Sequence, residues 1–221
     1  SSLGLGPGDR VLDVGCGWGA FIEYAGLRGM RVHGITISRE QHRFVQSMIE
    51  RLGLPCEVEF VDLLDFVPKC RFRGAVFMGV FEHFADHRFT ATFLQRWLDP
   101  GGRFYADFCT ARGSRLGGSF LKKHVWPGST RYVDVPDLLE ALDRCGFNVH
   151  ELVDDTRSYA LTVRDWADAF EREQAGLERR FGREGVRAFR VFLRASQYFL
   201  ERNKTQAYHL VAGLSPAGLP Q

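Results

Sequence analysis

The chain has 221 residues, 45% of them hydrophobic and 25% charged, with a formal net charge of +2. That composition suffices for one sizeable core and a single domain over 1–221, and so small a charge gives no electrostatic footprint for nucleic acid. Five scattered cysteines (Cys16, Cys56, Cys70, Cys109, Cys145), none spaced as CxxC, argue against a disulfide framework or a zinc site. No apolar run approaches the ~20 residues of a membrane span and no signal peptide opens the chain, so a cytoplasmic protein is expected.

SSLGLGPGDR leads abruptly into the first strand, which suggests a missing N-terminal segment. RVLDVG reads as a strand, and about Trp18 to Leu27 as a helix. RVHGITI is a second strand, and REQHRFVQSMIERLG an amphipathic helix stopping at Gly53 before Pro55. CEVEFVD, GAVFMGV and GGRFYADF are three further strands, with a helix around Arg88–Leu98 between the last two. Pro136–Cys145 is a helix ended by Gly146, and FNVHELVDD a sixth strand. Residues from about 163 to 204 read as helical, interrupted near Gly176 and Gly182–Gly185, before a last strand QAYHLVAGL. Strand–helix alternation with short loops predicts an α/β fold. Its mostly parallel seven-stranded sheet carries helices on both faces and a helical insertion before the last strand. Ligands in such sheets sit at the carboxyl ends of the strands.

The turn after the first strand, VLDVGCGWGAF, carries Gly15, Gly17 and Gly19 as G-x-G-x-G. A dinucleotide fingerprint needs G-x-G-x-x-G with a later acidic residue for the ribose, and a P-loop needs GK[ST]. The second strand ends in GITIS without a carboxylate, and no GK[ST] follows the turn. Asp13 makes the motif D-x-G-x-G-x-G, where glycines permit close backbone approach to a ligand and the carboxylate suits a cationic amino group. This motif resembles the class I (Rossmann-like) S-adenosylmethionine (SAM) methyltransferase signature.

GCGWG, GITISREQ, GVFEHF, HVWPGST and YALTVRDW follow one another in an order resembling the cyclopropane fatty acid synthase family. That family includes the mycolic acid cyclopropane synthases and methyltransferases, with coclaurine-type N-methyltransferases as relatives. The resemblance spans roughly residues 7 to 175. It implies SAM as cofactor and S-adenosylhomocysteine as product. Asp13, Gly15, Cys16, Gly17 and Gly19 would form the SAM turn, and Thr36, Ile37 and Gln41 would replace the ribose carboxylate. Asp62 would accept from the adenine amino group, Leu63 would pack on the ring, and Met78 and Gly79 would line the floor beneath the sulfonium. Ser38 and Gln41 also have capping-box spacing, and both roles are compatible.

In the resembling cyclopropane synthases an alkene attacks the SAM methyl, and a bicarbonate held by Glu, His, Tyr and Cys groups removes a proton. The matching residues here are Glu82 and Tyr159, with His83 beside Glu82 as a further candidate. The family's bicarbonate-binding histidine falls on Asp107, whose anionic side chain is a poor partner for an anionic base. One family cysteine would lie before the chain begins, and another falls near Asn203. Bicarbonate is therefore doubtful on this sequence. The pair Glu82 and Asp107 would instead suit a protonated or developing ammonium.

Arg179, Arg180, Arg183, Arg187, Arg190 and Arg194 mark the helical insertion. By default they read as a solvated face, and otherwise as a contact for an anionic lipid surface or an acidic carrier protein. Phe181, Val186, Phe189, Phe192, Leu193, Tyr198 and Phe199 form its apolar side, a candidate wall for an acyl or polyketide-like substrate, with Trp126 in a lid-like segment. The leading expectation is methyl transfer to carbon of an unsaturated lipid-like chain, as C-methylation or cyclopropanation. The rivals are methylation of a small secondary metabolite, including at nitrogen, and a SAM-binding protein without catalysis. The sequence sets neither the acceptor nor the oligomeric state.

Overall fold

The computed structural model describes residues 3–84, 86–111, 119–125 and 132–216. Strands β1 (Arg10–Val14), β2 (Arg31–Thr36), β3 (Glu57–Phe60), β4 (Phe72–Phe77), β5 (Leu98–Ala111), β6 (Phe147–Asp154) and β7 (Thr205–Leu214) form one sheet in the order β3-β2-β1-β4-β5-β7-β6. β1 to β5 pair in parallel, while β7 runs antiparallel to both β5 and β6. The expected α/β sheet is therefore present, with its strand order reversing between β1 and β4. That is where a doubly wound sheet opens a crevice for a ligand.

Local chemistry sets the helices. Ser38 caps α2 (Arg39–Leu52) by accepting from the Gln41 N–H at 3.3 Å, and Gly53 closes it in the left-handed region at φ 60°. Val45, Met48 and Ile49, at i, i+3 and i+4, turn its apolar stripe inward. Asp86 and Asp134 cap α3 (His87–Trp97) and α5 (Val135–Arg144) in the same way. α1 (Ala20–Gly26) follows the glycine turn.

β1 is buried on both faces, and its period of two divides its side chains between two layers. Leu12 and Val14 join a core with Phe77, Phe81, Phe104 and Phe108, while Val11 joins Ile22, Val32, Val45 and Met48 on the other side. Those four phenylalanines are essentially inaccessible. A large share of the aromatic content is thus core, and it makes the floor behind the strand ends rigid.

The insertion differs from expectation. α6 (Thr156–Phe181) begins about two turns before the expected start and passes through Gly176 without a break. A helix-interior glycine costs only about 1 kcal/mol, which a packed 26-residue helix absorbs. The real break is Gly182, at φ 83°, after which α7 (Arg183–Glu201) returns antiparallel along α6. Tyr159 consequently lies in the first turn of α6. Arg190 and Arg194 face α6 and pair with Glu171 and Asp168, so they do not belong to a purely solvated face. The apolar side is likewise divided: Val186 and Leu193 are buried, while Phe181 and Tyr198 are exposed. A short helix, α4 (Ser119–His124), lies where none was expected. Trp126 falls outside the described residues.

Candidate active site

The crevice begins at the glycine turn. Gly15, Gly17 and Gly19 all have positive φ, at 68°, 54° and 81°. They differ in what a side chain would meet. A Cβ on Gly15 would sit 2.6 Å from Val80, whereas one on Gly17 would meet only the Gly15 carbonyl, at 3.9 Å. Gly15 therefore lets the ends of β1 and β4 close together, and Gly17 keeps a space open. Gly19 abuts Val45 and Met48 and serves the packing of α2. The Cys16 side chain packs against Gly34 in the core, with its thiol pushed up to about 12 by burial and then by the Asp13 charge. Only the Cys16 backbone remains for the turn.

Asp13 is 1% exposed and its Oδ2 has no hydrogen-bond partner. Burial alone lifts its carboxyl to about 7. A buried carboxylate oxygen without a donor is costly unless something cationic completes it.

Along the neighbouring strand ends, the Thr36 hydroxyl donates to Gln41 Oε1 at 2.7 Å and accepts from the Ser38 N–H at 3.2 Å. This fixes the carbonyl end of Gln41 and leaves its NH2 as the donor for hydroxyl groups. The capping and ligand roles proposed for this segment are therefore geometrically compatible. Ile37 is 72% exposed, as an apolar ligand surface requires. Asp62 accepts from the Leu64 N–H at 2.9 Å through Oδ1. The expectation for Leu63 needs correction. Its side chain is buried in the main core, and the exposed apolar neighbour of Asp62 is Leu64. Leu63 is drawn into the turn after β3, whose Phe66 N–H donates to its carbonyl at 3.4 Å, and both residues join the same buried core. Met78 is partly exposed at the end of β4, and Gly79 follows it at φ 64° with open space where a side chain would be.

A second group of residues meets beyond β4. Glu82 lies on a 3-10 turn (Phe81–His83) and accepts from the Cys109 N–H of β5 at 2.6 Å. Asp107 accepts from the Gly79 N–H at 2.6 Å and from the Tyr105 hydroxyl at 3.5 Å, and is also hydrogen-bonded to Tyr159 from α6. The structure thus brings Glu82, Asp107 and Tyr159 together. Burial raises both carboxyls above their ordinary values. For Glu82 the backbone donors oppose the rise and the Asp107 charge adds to it; for Asp107 the Gly79 N–H, Tyr159, Tyr105 and His209 oppose it. Burial, then the charges of Asp107, Cys109 and Glu82, push the Tyr159 hydroxyl well up, so it stays protonated and donates. The charge of His83 favours the ionised form of Glu82.

Four contributors were not expected from the sequence. Tyr105 lies two residues before Asp107 on the same face, a spacing visible in the sequence. Cys109 supplies a backbone N–H to Glu82, while its thiol is raised by burial and then by that carboxylate. Tyr132 lies near Glu82 and Cys109 and shares a hydrogen bond with Thr205 at 3.5 Å. His209 stands opposite Asp107 across the β5–β7 pairing, stacks on Tyr105 at 5.7 Å and is bonded to Asp155. Only the strand register reveals that neighbour. A separate cleft of about 570 Å³ between the start of α6 and the end of α7, lined by Arg157, Leu161, Leu200 and Asn203 among others, contains none of the candidate residues.

A family model described as mycolic acid cyclopropane synthetase matches residues 1–210. A probable fatty acid methyltransferase of Mycobacterium tuberculosis, Rv3720, is 31% identical over 222 residues, covering 95% of this chain and 50% of that protein. Sphingolipid C9-methyltransferase 2 of Gibberella zeae is 24% identical over 94% of this chain and 42% of its own length. The chain spans about half the length of these relatives. The mycolic acid cyclopropane synthase CmaA1, in complex with SAH and CTAB, superposes with a TM-score of 0.88 at 22% identity, covering 96% of this chain and 80% of that one.

Proposed function

The chain belongs to the mycolic acid cyclopropane synthetase family, and from that premise we propose that it transfers a methyl group from SAM to carbon of an unsaturated, lipid-like acceptor. The observation that carries this reading is the meeting of Glu82, Asp107 and Tyr159 beside the glycine turn. Carboxylates each anchored on a backbone N–H are arranged to receive positive charge. The names of the relatives point the same way: a fatty acid methyltransferase and a sphingolipid C9-methyltransferase act on lipids.

The residues fit SAM on their own terms. The unpartnered Asp13 oxygen matches an ammonium, Gly17 leaves room for a close backbone approach, and Ile37 and Leu64 offer apolar surface for a ring. Gln41 offers its amide to ribose hydroxyls and Asp62 a carboxylate to an amino group. Bound SAM supplies an electrophilic methyl on a sulfonium. The protein's task is then to position, to exclude water and to stabilise developing cation. When an alkene carbon takes the methyl, the adjacent carbon becomes cationic, and Glu82 faces it with negative charge while Tyr159 can offer its ring. Loss of a proton from the added methyl closes a cyclopropane; loss from the neighbouring carbon leaves a methylated alkene.

Bicarbonate does not fit this site. The position expected to donate to it carries Asp107, which accepts, so no step is assigned to bicarbonate.

A second reading has its own observation. Two neighbouring carboxylates also suit an ammonium, which favours N-methylation of a small amine. SAM with a deuterated methyl, offered to unsaturated lipid vesicles and to a panel of secondary amines, separates the two. Label on acyl carbon is the expected result, and label only on nitrogen overturns the lipid reading. The exposed Phe181 with Arg179, Arg180, Arg183 and Arg187 around the α6–α7 turn supports contact with an anionic membrane or acyl carrier as the route to the acceptor.

A further inference from the structure

We propose that Asp107 is the proton acceptor of this protein, a built-in carboxylate taking the place of a bound bicarbonate, and that His209 and Asp155 hold it in that role from behind. The proposal rests on the reading of the site as one for methyl transfer to carbon. Either outcome of that reaction releases one proton. A C–H bond breaks, its electron pair becomes the ring bond or the double bond, and the proton goes to a carboxylate oxygen of Asp107. From there it passes to solvent between turnovers, so no further reactant is needed.

The geometry singles out Asp107 from its neighbour. Glu82 takes the Cys109 N–H at 2.6 Å and a backbone N–H of its own turn after β4, with no tyrosine hydroxyl on it among the described residues. Asp107 is held on both oxygens. The Gly79 N–H is on Oδ1 at 2.6 Å and the Tyr105 hydroxyl is on Oδ2 at 3.5 Å, with Tyr159 bonded to the same carboxylate. Gly79 lies on the expected floor beneath the sulfonium, so its N–H ties the carboxylate to the place where the methyl arrives.

His209 provides the second layer. It pairs with Asp107 across β5 and β7, its ring lies over Tyr105 at 5.7 Å and 23°, its Nδ1 is bonded to Asp155, and its Nε2 lies 3.8 Å from Glu151. Asp155 thus sets the ring, the ring sets Tyr105, and Tyr105 sets Asp107. The charged and titratable groups around Asp107 are Glu82 from the turn after β4, Tyr105 and Cys109 from β5, Tyr159 from α6 and His209 from β7. Of these, His209 and the tyrosine hydroxyls favour the ionised form, opposing burial. His209 and Asp155 act through Asp107 and are positioning residues.

The test uses the whole chain, SAM with a deuterated methyl, and vesicles of dioleoylphosphatidylglycerol as acceptor probe. Asp107→Asn should lower turnover about 100-fold or more, the usual contribution of a general base, with SAM affinity within about twofold, since no cofactor contact is assigned to Asp107. Asp107→Ala should regain part of that turnover with added formate, while bicarbonate should leave the unmodified protein unstimulated. His209→Gln should move the acidic limb of the kcat profile to higher pH, because a positive neighbour of Asp107 is lost; a merely structural loss would lower kcat equally at all pH values. Full activity of Asp107→Asn, bicarbonate stimulation of the unmodified protein, or an unshifted His209→Gln profile overturns the proposal. If no label reaches these chains, the lipid reading fails for this acceptor. Binding of ¹³C-bicarbonate to the SAH-loaded protein, read by NMR, then still decides the role of Asp107. Bicarbonate bound beside Glu82 refutes the role, and its absence supports it.

Discussion

Replacing Asp13 by asparagine tests the cofactor site through two effects of opposite sign. Burial lifts this carboxyl from 3.8 to about 7 with no partner on Oδ2. That rise corresponds to about 4 kcal/mol against the ionised side chain. Because the folded-state value lies above the unfolded one, the folded state holds the extra proton between about 4 and 7. The contribution of Asp13 to stability is fully present below pH 3.8, is lost as pH rises through about 7, and is flat beyond. Above pH 7 the ligand-free protein therefore carries a buried, uncompensated charge. Asp13→Asn removes it at nearly constant volume.

The ligand-free variant should be more stable than the unmodified protein at pH 8 by about 1–3 kcal/mol, less than the full amount because the new amide NH2 also needs a partner. For a chain of this size that is a Tm increase of about 2–4 °C per kcal/mol. SAM affinity should move the other way. The unmodified protein should bind SAM about tenfold more weakly per pH unit below 7, as protons compete with the ligand's ammonium, whereas the variant should bind weakly with little pH dependence. Thermal unfolding with and without SAM at pH 6 and 8, together with calorimetric titration, reads both effects. A variant less stable than the unmodified protein at pH 8, or one that keeps full SAM affinity, would refute the assignment of Asp13 as the ammonium partner.

Glu82→Gln should reduce turnover by about 100-fold while changing SAM affinity less than about twofold, measured by single-turnover kinetics on the SAM-loaded protein; loss of SAM binding with intact turnover would reassign Glu82 to structure. Gly15→Ala and Gly17→Ala should fail differently, because the first drives a methyl within 2.6 Å of Val80 and the second projects it into open space. The Gly15 variant should lose the larger share of its Tm, and the Gly17 variant the larger share of its SAM affinity. Phe104→Ala should cost about 3–5 kcal/mol in urea unfolding, since its side chain is wholly buried among aromatic neighbours.

The sheet was legible because its signals are local. β1, β2 and the parallel strands after them are short apolar runs bounded by turns, and Ser38 and Gly53 mark the ends of α2 in sequence as in space. The insertion was less so, because Gly176 has the residue type of a breaker but the packing of a helix interior; tertiary contact with α7 overrides its propensity. The same limit affected Leu63 and Leu64. Either could have faced a ligand from their order in the chain, and only the bend after β3 decides that Leu63 goes inward. Asp107 was legible as a residue out of place, yet its consequence was not. Tyr159 and His209 reach it from elements more than 50 residues away, with Asp155 behind His209, and the tertiary fold carries that information.

What these placements share is charge held ready. Asp13, Glu82 and Asp107 are three carboxyls at the ends of adjacent strands, each raised by burial. A stable fold without a cation to bind would have little reason to keep them so close, because like charges in a low-dielectric crevice oppose one another. The protein separates their support. Asp13 has no partner for Oδ2, Glu82 is held by backbone N–H groups of its own turn and of Cys109, and Asp107 by one backbone N–H plus two tyrosine hydroxyls. These different kinds of support match three different tasks. The least supported carboxyl can be completed by a fixed positive group of the ligand. The second can face charge that exists only in the transition state, where preorganised negative charge lowers the barrier without reorganising. The third, held by two hydroxyls besides a backbone N–H, is the one whose protonation can change during turnover without collapse of the site, because its donors hold the carboxyl group in place in either state.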